Sequence, residues 1–131
     1  MIVVDSSVWI AYFKNQPRQF AELFTEIIDS GDDIVIIPII LSEILSGFKS
    51  DLDFNKALKV MELIPIIPVS NKDHIEAAKL FRHLRKNGLT IRGVVDCLIA
   101  HMCINTQSML LTVDKDFTQI AKHSSLKLVE V

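Results

Sequence analysis

Four lone acidic residues, Asp5, Glu43, Asp96 and Asp114, each lie inside or at the edge of a stretch that is otherwise almost entirely apolar. An ionised carboxylate in apolar surroundings is unfavourable unless a cation or a hydrogen-bond donor compensates it. No Lys or Arg lies inside any of these four stretches. A shared divalent cation would compensate all four acids at once, because Mg²⁺ and Mn²⁺ prefer hard oxygen ligands. The pattern therefore predicts a metal site.

The elements that must position these acids alternate along the chain. Short, continuously apolar segments predict strands at 2–4, 34–37, 65–69, 109–112 and 126–129, with helices between them. Such alternation is typical of an α/β fold, here a three-layer α/β/α sandwich around a short, mostly parallel central sheet. No linker or internal repeat divides the sequence, so we expect a single domain over residues 1–131.

The acids fall where a parallel sheet places its ligand sites, beyond the carboxyl ends of the strands. Asp5 follows the first predicted strand, and Asp114 follows an apolar strand near the end of the chain. Asp96 begins an apolar helix, and Glu43 lies about one turn into a helix predicted over 39–48. All four side chains can therefore reach the same edge of the sheet.

A long helix predicted over 71–87 ends at Gly88, which is a favoured residue after a helix. Its predicted inward residues are Ile75, Ala78, Phe81 and Leu84. Its basic residues, Lys79, Arg82, Arg85 and Lys86, are interpreted as a solvated face, with contact to RNA as the alternative.

Composition narrows the class of protein. Of the 131 residues, 50% are hydrophobic, and the mean hydropathy is +0.35. These values indicate apolar surface reserved for a partner or a second copy. The net charge of −2 gives no global basic field of the kind typical of nucleic-acid binders, although bound metal would reverse the local sign.

The expected location is the cytoplasm. Cys97 and Cys103 lie six residues apart on different faces of one predicted helix, so they cannot pair there, and a reducing compartment is the simpler assumption. The first residues lack the charged region of a signal peptide. The longest apolar stretch, at 34–45, is too short to span a bilayer.

Each candidate also has a structural interpretation. Asp5 and Asp114 are good helix N-caps, and Glu43 and Asp96 could point to solvent from a helix flank. The joint occurrence of all four favours the metal site.

Two further groups of residues carry alternatives. Cys97 and His101 share a helix face and could ligate a transition metal, but no companion pair is present, which favours simple core packing. The aromatic stripe of Trp9, Tyr12 and Phe13 is interpreted as core, with a groove for a partner helix as the alternative.

With these positions fixed, the chain resembles a PIN domain, most of all the small VapC-type toxins of toxin–antitoxin pairs. The matching segments cover essentially the whole chain in order: 2–7, 41–44, 96–100 and 110–117. His101 and Met102 depart from the small residues often found after the third segment.

The resemblance implies a metal-dependent endoribonuclease, the toxin of a type II toxin–antitoxin system, with Mg²⁺ or Mn²⁺ as cofactor. It implies that the four acids are catalytic, that Ser6 and Thr112 are supporting hydroxyls, and that Asp116 is an accessory acid. It also implies RNA as substrate, a homodimer, and a cognate antitoxin whose basic or aromatic segment enters the acidic site.

The division of labour follows from the chemistry of phosphodiester hydrolysis. Asp5, Asp96 and Asp114 are predicted as the main metal ligands, directly or through water, and Glu43 as the acid that orients or deprotonates the attacking water. RNA must also be held by its phosphates. The basic candidates that flank the acids are Arg92, Lys86, Arg85 and Lys115.

Other functions remain as alternatives. A receiver-like or other non-catalytic αβ binding module would need an acidic pair after the first strand, whereas Asp5 is followed by Ser6 and Ser7. A phosphatase of the Asp-x-Asp type could use Asp114 and Asp116, but that motif normally begins its domain. A catalytically idle interaction protein would not require the four acids.

Overall fold

The computed structural model describes residues 1–14 and 18–130, with side chains described for 1–14 and 22–130. Within these ranges, strands and helices alternate as predicted, and the α/β fold is confirmed. The elements in chain order are β1 (Ile2–Val4), α1 (Ser6–Lys14), α2 (Arg18–Asp29), β2 (Ile34–Val35), α3 (Pro38–Ser46), α4 (Asp51–Met61), α5 (Asn71–Lys86), α6 (Val94–Asn105), β3 (Met109–Leu111) and α7 (Lys115–Lys122).

The three strands form a parallel sheet in the order β2-β1-β3. Val3 in the central strand pairs with Val35 on one side and Leu110 on the other. The chain thus leaves β1 toward one edge and later returns to the opposite edge. Because parallel crossovers are right-handed, these two connections place their helices on opposite faces of the sheet. This topology makes the carboxyl end of β1 the switch point where ligand sites form.

The sheet is narrower than predicted. The expected strands at 65–69 and 126–129 each contribute only an isolated parallel bridge, Ile66 beside Ile36 and Leu128 beside Leu110. Pro65 and Pro68 explain the first case, because proline has no N–H to donate to a ladder and the two prolines bracket the segment.

Helix α6 lies in the core. Its residues from 97 to 100 are all buried, as are Met102 and Cys103, which is the pattern of a helix covered on every side. Its two ends emerge: Asn105 is exposed at the C-terminal end, and in the first turn Val94 and Val95 are exposed and Asp96 is half-buried. The acid therefore lies where the core meets solvent.

Two helices differ from their predicted form. Helix α3 begins at Pro38, whose fixed φ suits the first helical position, and ends at Ser46 rather than at residue 48. In α5 the predicted inward face was wrong at Ile75, which is 57% exposed, and at Ala78. Leu84 is buried as predicted, and Ala77 is buried in addition, because α5 packs against α6 and a small residue allows close approach. No helix of the described residues is long and apolar enough to cross a membrane.

Candidate metal centre

Asp5 lies directly after β1 and is fixed from several directions. Its backbone N–H donates to the carbonyl of Leu111 at 2.9 Å, which ties the ends of β1 and β3 together. Its Oδ1 accepts from the Ser6 N–H at 2.9 Å, and its Oδ2 accepts from Ser7 Oγ at 3.0 Å and Thr112 Oγ1 at 2.9 Å. These three hydrogen bonds restrict the rotation of the Asp5 side chain.

Burial raises the pKa of Asp5 above its ordinary value of 3.8, and the nearby Asp114 carboxylate raises it further. The hydrogen bonds from Thr112, Ser7 and Ser6 act in the opposite direction, because they stabilise the ionised form. The residue is only 5% exposed. Asp5 is therefore a buried acid whose ionised form is stabilised by hydroxyl and amide donors.

Asp114 is the N-cap of α7, as one interpretation of the sequence predicted. Its Oδ1 accepts from the Asp116 N–H at 3.0 Å, and its own N–H donates to Thr112 Oγ1 at 3.0 Å. The Thr112 hydroxyl thus joins Asp5 to Asp114. Capping engages only one carboxylate oxygen, and Asp114 Oδ2 accepts from the Arg92 guanidinium instead.

Asp96, Asp114 and Asp116 form the tightest acidic group in the described residues. One carboxylate oxygen from each lies within 4.8 Å of the others. Burial raises the pKa of Asp96 to about 6, and the charges of Asp114 and Asp5 add to the effect. Asp116 was predicted only as an accessory acid, but it belongs to this group. Asp5, which was predicted as a main metal ligand with Asp96 and Asp114, does not.

Glu43 approaches the same centre from α3. Burial raises its pKa above 4.5, and the charges of Asp5 and Asp96 raise it further, whereas a hydrogen bond from Ser6 lowers it. Its Oε1 is buried and has no hydrogen-bond partner among the described residues. The four acids singled out in the sequence therefore meet, and Asp96 is coupled to acids on both sides of the centre.

The donor set fits a hard divalent cation. Asp96, Asp114 and Asp116 supply oxygen atoms at chelating separations, and oxygen is the ligand atom that Mg²⁺ and Mn²⁺ favour. The orphaned Glu43 Oε1 is a second sign, since a buried carboxylate oxygen without a donor is costly unless a cation or its water compensates it. Burial and, to a smaller extent, mutual repulsion raise the pKa of Asp5, Glu43 and Asp96, and a bound cation would stabilise their ionised forms.

Arg92 lies against this centre. Its Nε donates to Asp116 Oδ2 at 2.9 Å, and its NH2 group forms a short ion pair with Asp114 Oδ2. The guanidinium is 72% exposed, whereas the two carboxylates are 24% and 29% exposed. An open cleft beside it is lined by Glu43, Arg92, Gly93, Val95 and Asp96.

The other predicted basic residues lie on two different helices, α7 and α5. Lys115 is exposed and stands between Asp114 and Asp116 in sequence, at the start of α7. Arg85 and Lys86 lie in the last turn of α5, where Arg85 covers the ring of Phe81. Neither forms an ion pair with an acid in the described part of the chain.

The alternatives for the remaining groups are resolved by packing. Cys97 is buried with a free thiol, and His101 Nε2 lies 2.9 Å from Asp73 Oδ1 across the α5–α6 interface. This pair gives the histidine of α6 a polar partner, which lies 28 residues away in the chain and was not predicted. Trp9 is 1% exposed and packs against Phe24 with ring centroids 4.5 Å apart, so the aromatic stripe begins in the core.

Ser7 is the one site residue that sequence reasoning missed. Its hydroxyl donates to Asp5 Oδ2, together with that of Thr112. The available signal was its position two residues after an acid at a strand end, where a hydroxyl can turn back toward the carboxylate.

Known proteins are similar to this chain over almost its whole length. Ribonuclease VapC11 of Mycobacterium tuberculosis is 30% identical over 129 residues, covering 97% of this chain and 96% of the relative. Ribonuclease VapC of Rickettsia bellii is 31% identical over 127 residues, covering 91% and 90%.

Solved structures agree on the fold. VapBC2 from Rickettsia felis, bound to a DNA fragment from its promoter, matches with a TM-score of 0.77 and 24% identity over 98% of both chains. VapBC-1 from nontypeable Haemophilus influenzae matches with a TM-score of 0.73 and 20% identity over 99% of this chain and 98% of that one. The family model described as PIN domain matches residues 2–123. A match of this extent, with relatives aligned over almost their whole length, shows that the chain belongs to the PIN domain family.

Proposed function

We propose that this protein is a divalent-metal-dependent endoribonuclease and the toxin of a type II toxin–antitoxin pair, with residues 1–131 as one nuclease domain. The observation that carries this proposal is the convergence of five acids at the carboxyl edge of the sheet, three of them within 4.8 Å. The relatives that align along almost the whole chain are ribonucleases by name, which supports hydrolysis of RNA.

The cofactor is Mg²⁺ or Mn²⁺, held by Asp96, Asp114 and Asp116, with Asp5 and Glu43 acting directly or through water. When bound, such an ion neutralises phosphoryl charge and lowers the pKa of a bound water. Ser6, Ser7 and Thr112 support the site by fixing the carboxylates of Asp5 and Glu43.

Glu43 is the acid that orients or deprotonates the attacking water. Its Oε1 has no protein donor, so this oxygen is free to accept a proton or a hydrogen bond from water. Its raised pKa makes it a better base than an ordinary glutamate, and proton transfer is most efficient when the pKa approaches the working pH. Asp5, by contrast, is engaged by three donors and suits a positioning role.

The RNA backbone is held by basic residues at the rim. Arg92 lines the cleft beside Glu43 and Asp96, and Lys115 lies at the start of α7. Lys86, in the last turn of α5, is a further basic residue proposed to contact RNA phosphate. Phosphate contacts of this kind confer affinity without base specificity, and salt weakens them.

The protein forms a homodimer and is held by a cognate antitoxin in the cytoplasm. The solved VapBC structures that share this fold support a cognate antitoxin for this chain. Exposed apolar side chains support an interface with another protein chain. They are Val94 and Val95 at the start of α6 and the partly exposed rings of Tyr12 and Phe13. An arginine from the antitoxin would suit the acidic centre by charge-assisted hydrogen bonds.

Cleavage of total RNA with Mg²⁺ or Mn²⁺, followed by mapping of fragment ends, tests this function. We expect defined ends from the wild-type protein, loss of cleavage on chelation, and no cleavage by Asp5→Asn. Equal cleavage by the variant or by the chelated protein would contradict the metal-dependent mechanism. The receiver-like alternative lacks support, since Asp5 is followed in the chain by Ser6 and Ser7, which donate hydrogen bonds to it, and not by a second acid.

A further inference from the structure

Arg92 occupies part of the centre that the proposed function assigns to a metal ion. It contacts Asp114 and Asp116, two of the three acids in the tightest group. From sequence it was a candidate for RNA phosphate. In the folded chain its guanidinium instead bridges two carboxylates, as a planar fork of donors can do.

The particular oxygen that Arg92 takes matters. Asp114 Oδ1 is engaged by the Asp116 N–H at the start of α7, so Oδ2 is the oxygen left for a cation. Arg92 binds this same Oδ2. A divalent ion bound to it would therefore meet a positive charge already in place, and the two cations would compete for one acceptor.

The exposure of the three groups indicates that this contact is reversible. The Arg92 side chain is 72% exposed. The residue itself precedes α6 and lies outside any helix or strand. Ion pairs with so much solvent are weak, because water and salt screen them. Arg92 also lines the cleft that contains Glu43 and Asp96, so a phosphate bound there would lie within reach of its side chain.

We propose that Arg92 is a tethered cation that holds Asp114 and Asp116 in the metal-free protein and passes to an RNA phosphate when a divalent ion takes its place. This inference rests on the proposed function, because it concerns regulation of the same centre. It makes two predictions of opposite sign for loss of the guanidinium: tighter metal binding and weaker RNA binding.

Calorimetric titration with Mg²⁺ tests the first prediction in the absence of RNA. Arg92→Gln should bind the ion roughly fivefold more tightly than the wild type, which is the upper range for an exposed ion pair. Arg92→Lys should fall between the two, since it keeps the charge and loses the fork. Lys115→Gln is the matched control, because it removes one positive charge next to the same acids without an ion pair among the described residues.

A nuclear magnetic resonance experiment observes the exchange of partners directly. The Nε–H signal of Arg92, assigned by its loss in Arg92→Lys, should be protected from solvent in the metal-free protein by its bond to Asp116. Mg²⁺ should remove that protection. Binding of a non-cleavable RNA analogue to the Mg²⁺-loaded protein should then be weaker in Arg92→Gln than in the wild type.

The outcomes separate the two proposals. If the wild type binds Mg²⁺ but Arg92→Gln binds it no more tightly than Lys115→Gln, the inference is wrong and the metal site stands. If Nε–H protection persists with Mg²⁺ bound, or the RNA analogue binds Arg92→Gln as tightly as the wild type, the exchange of partners is also refuted. If none of the proteins binds the ion, the metal dependence under the proposed function fails, and the inference fails with it.

Discussion

The hydroxyl of Thr112 donates to Asp5 Oδ2 at 2.9 Å, a hydrogen bond between residues 107 positions apart in the chain. The same hydroxyl accepts from the Asp114 N–H at 3.0 Å. One small side chain thus fixes the distance between the acid after β1 and the acid after β3.

Thr112→Val should uncouple these two acids. The substitution keeps the shape of the side chain but removes both hydrogen bonds, leaving the Asp114 N–H without its acceptor. We expect the free energy of unfolding to fall by about 1–3 kcal/mol, the usual cost of an unsatisfied buried group. Urea denaturation measures the loss, and RNA cleavage should decrease in parallel. Thr112→Ser retains the hydroxyl and should behave like the wild type; an equal loss there would assign the effect to packing.

The metal-free protein should lose stability as the pH rises from about 4 to about 6. The pKa of Asp96 is 3.8 in an unfolded chain and about 6 when folded, so in this window the folded protein holds a proton that the unfolded chain has released. Asp96→Asn should flatten part of this slope and raise the free energy of unfolding at neutral pH by about 1 kcal/mol, a value reduced for solvent screening. Denaturation at several pH values in a chelator tests this, and a rising wild-type curve would contradict it.

Glu43→Gln should separate catalysis from metal binding. The side chain keeps its size, but it can no longer accept a proton, so we expect cleavage to slow roughly 100-fold or more if the residue is the general base. Mg²⁺ affinity, measured by calorimetry, should change far less than the cleavage rate. Metal-free stability should not fall, because repulsion with Asp5 and Asp96 is relieved. Normal cleavage with weakened metal binding would instead make Glu43 a ligand.

Mg²⁺ should stabilise the folded protein. An ion that binds only the native acids raises the free energy of unfolding by about 2.7 kcal/mol at a concentration of 100 times its dissociation constant. Thermal unfolding with and without the ion provides the measurement. Asp96→Asn is the control, since it removes an acid from the tightest group. A shift of equal size in that variant would place the ion elsewhere on the protein.

The His101–Asp73 pair should contribute to stability and not to cleavage. Hydrogen bonds from Ser70 and His101 lower the pKa of Asp73 to about 2. Its contribution should therefore be present above pH 3.8 and lost as the pH falls toward 2. Asp73→Ala should lower the midpoint of thermal unfolding at neutral pH and leave RNA cleavage unchanged.

Ser70→Ala is the matched control for that prediction, because Ser70 forms the capping box of α5 with Asp73 but does not contact His101. A larger effect of Asp73→Ala than of Ser70→Ala would measure the bond to His101 together with the bond from the Ser70 backbone N–H, which Ser70→Ala retains. Equal effects would show that capping accounts for all of it.

The meeting of the acids could be predicted because parallel strands share a carboxyl edge. Asp5 and Asp114 follow adjacent strands, so their proximity needs only the strand order. Asp96 lies in the first turn of α6 and Glu43 in the second turn of α3, and a charge within such apolar segments is itself a signal. These inferences depend on local pattern and general topology.

The contacts of Arg92 could not be predicted in the same way. Its partners lie 22 and 24 residues away, and their approach depends on how the segment before α6 packs beside α7. The same limit applies to His101 and Asp73, which are 28 residues apart. The buried face of α5 was misassigned at Ile75 because several helical stripes carry apolar residues, and only packing against α6 selects one.

Asp114 accepts the Asp116 N–H at one carboxylate oxygen and pairs with Arg92 through the other. A carboxylate anchored in this way cannot rotate freely, so the order that a ligand usually loses entropy to impose is established during folding. Arrival and departure of an ion then need little rearrangement of this side chain. Glutamate at position 114 would lose this fixed orientation, because its longer side chain would displace both the capping oxygen and the ligand oxygen.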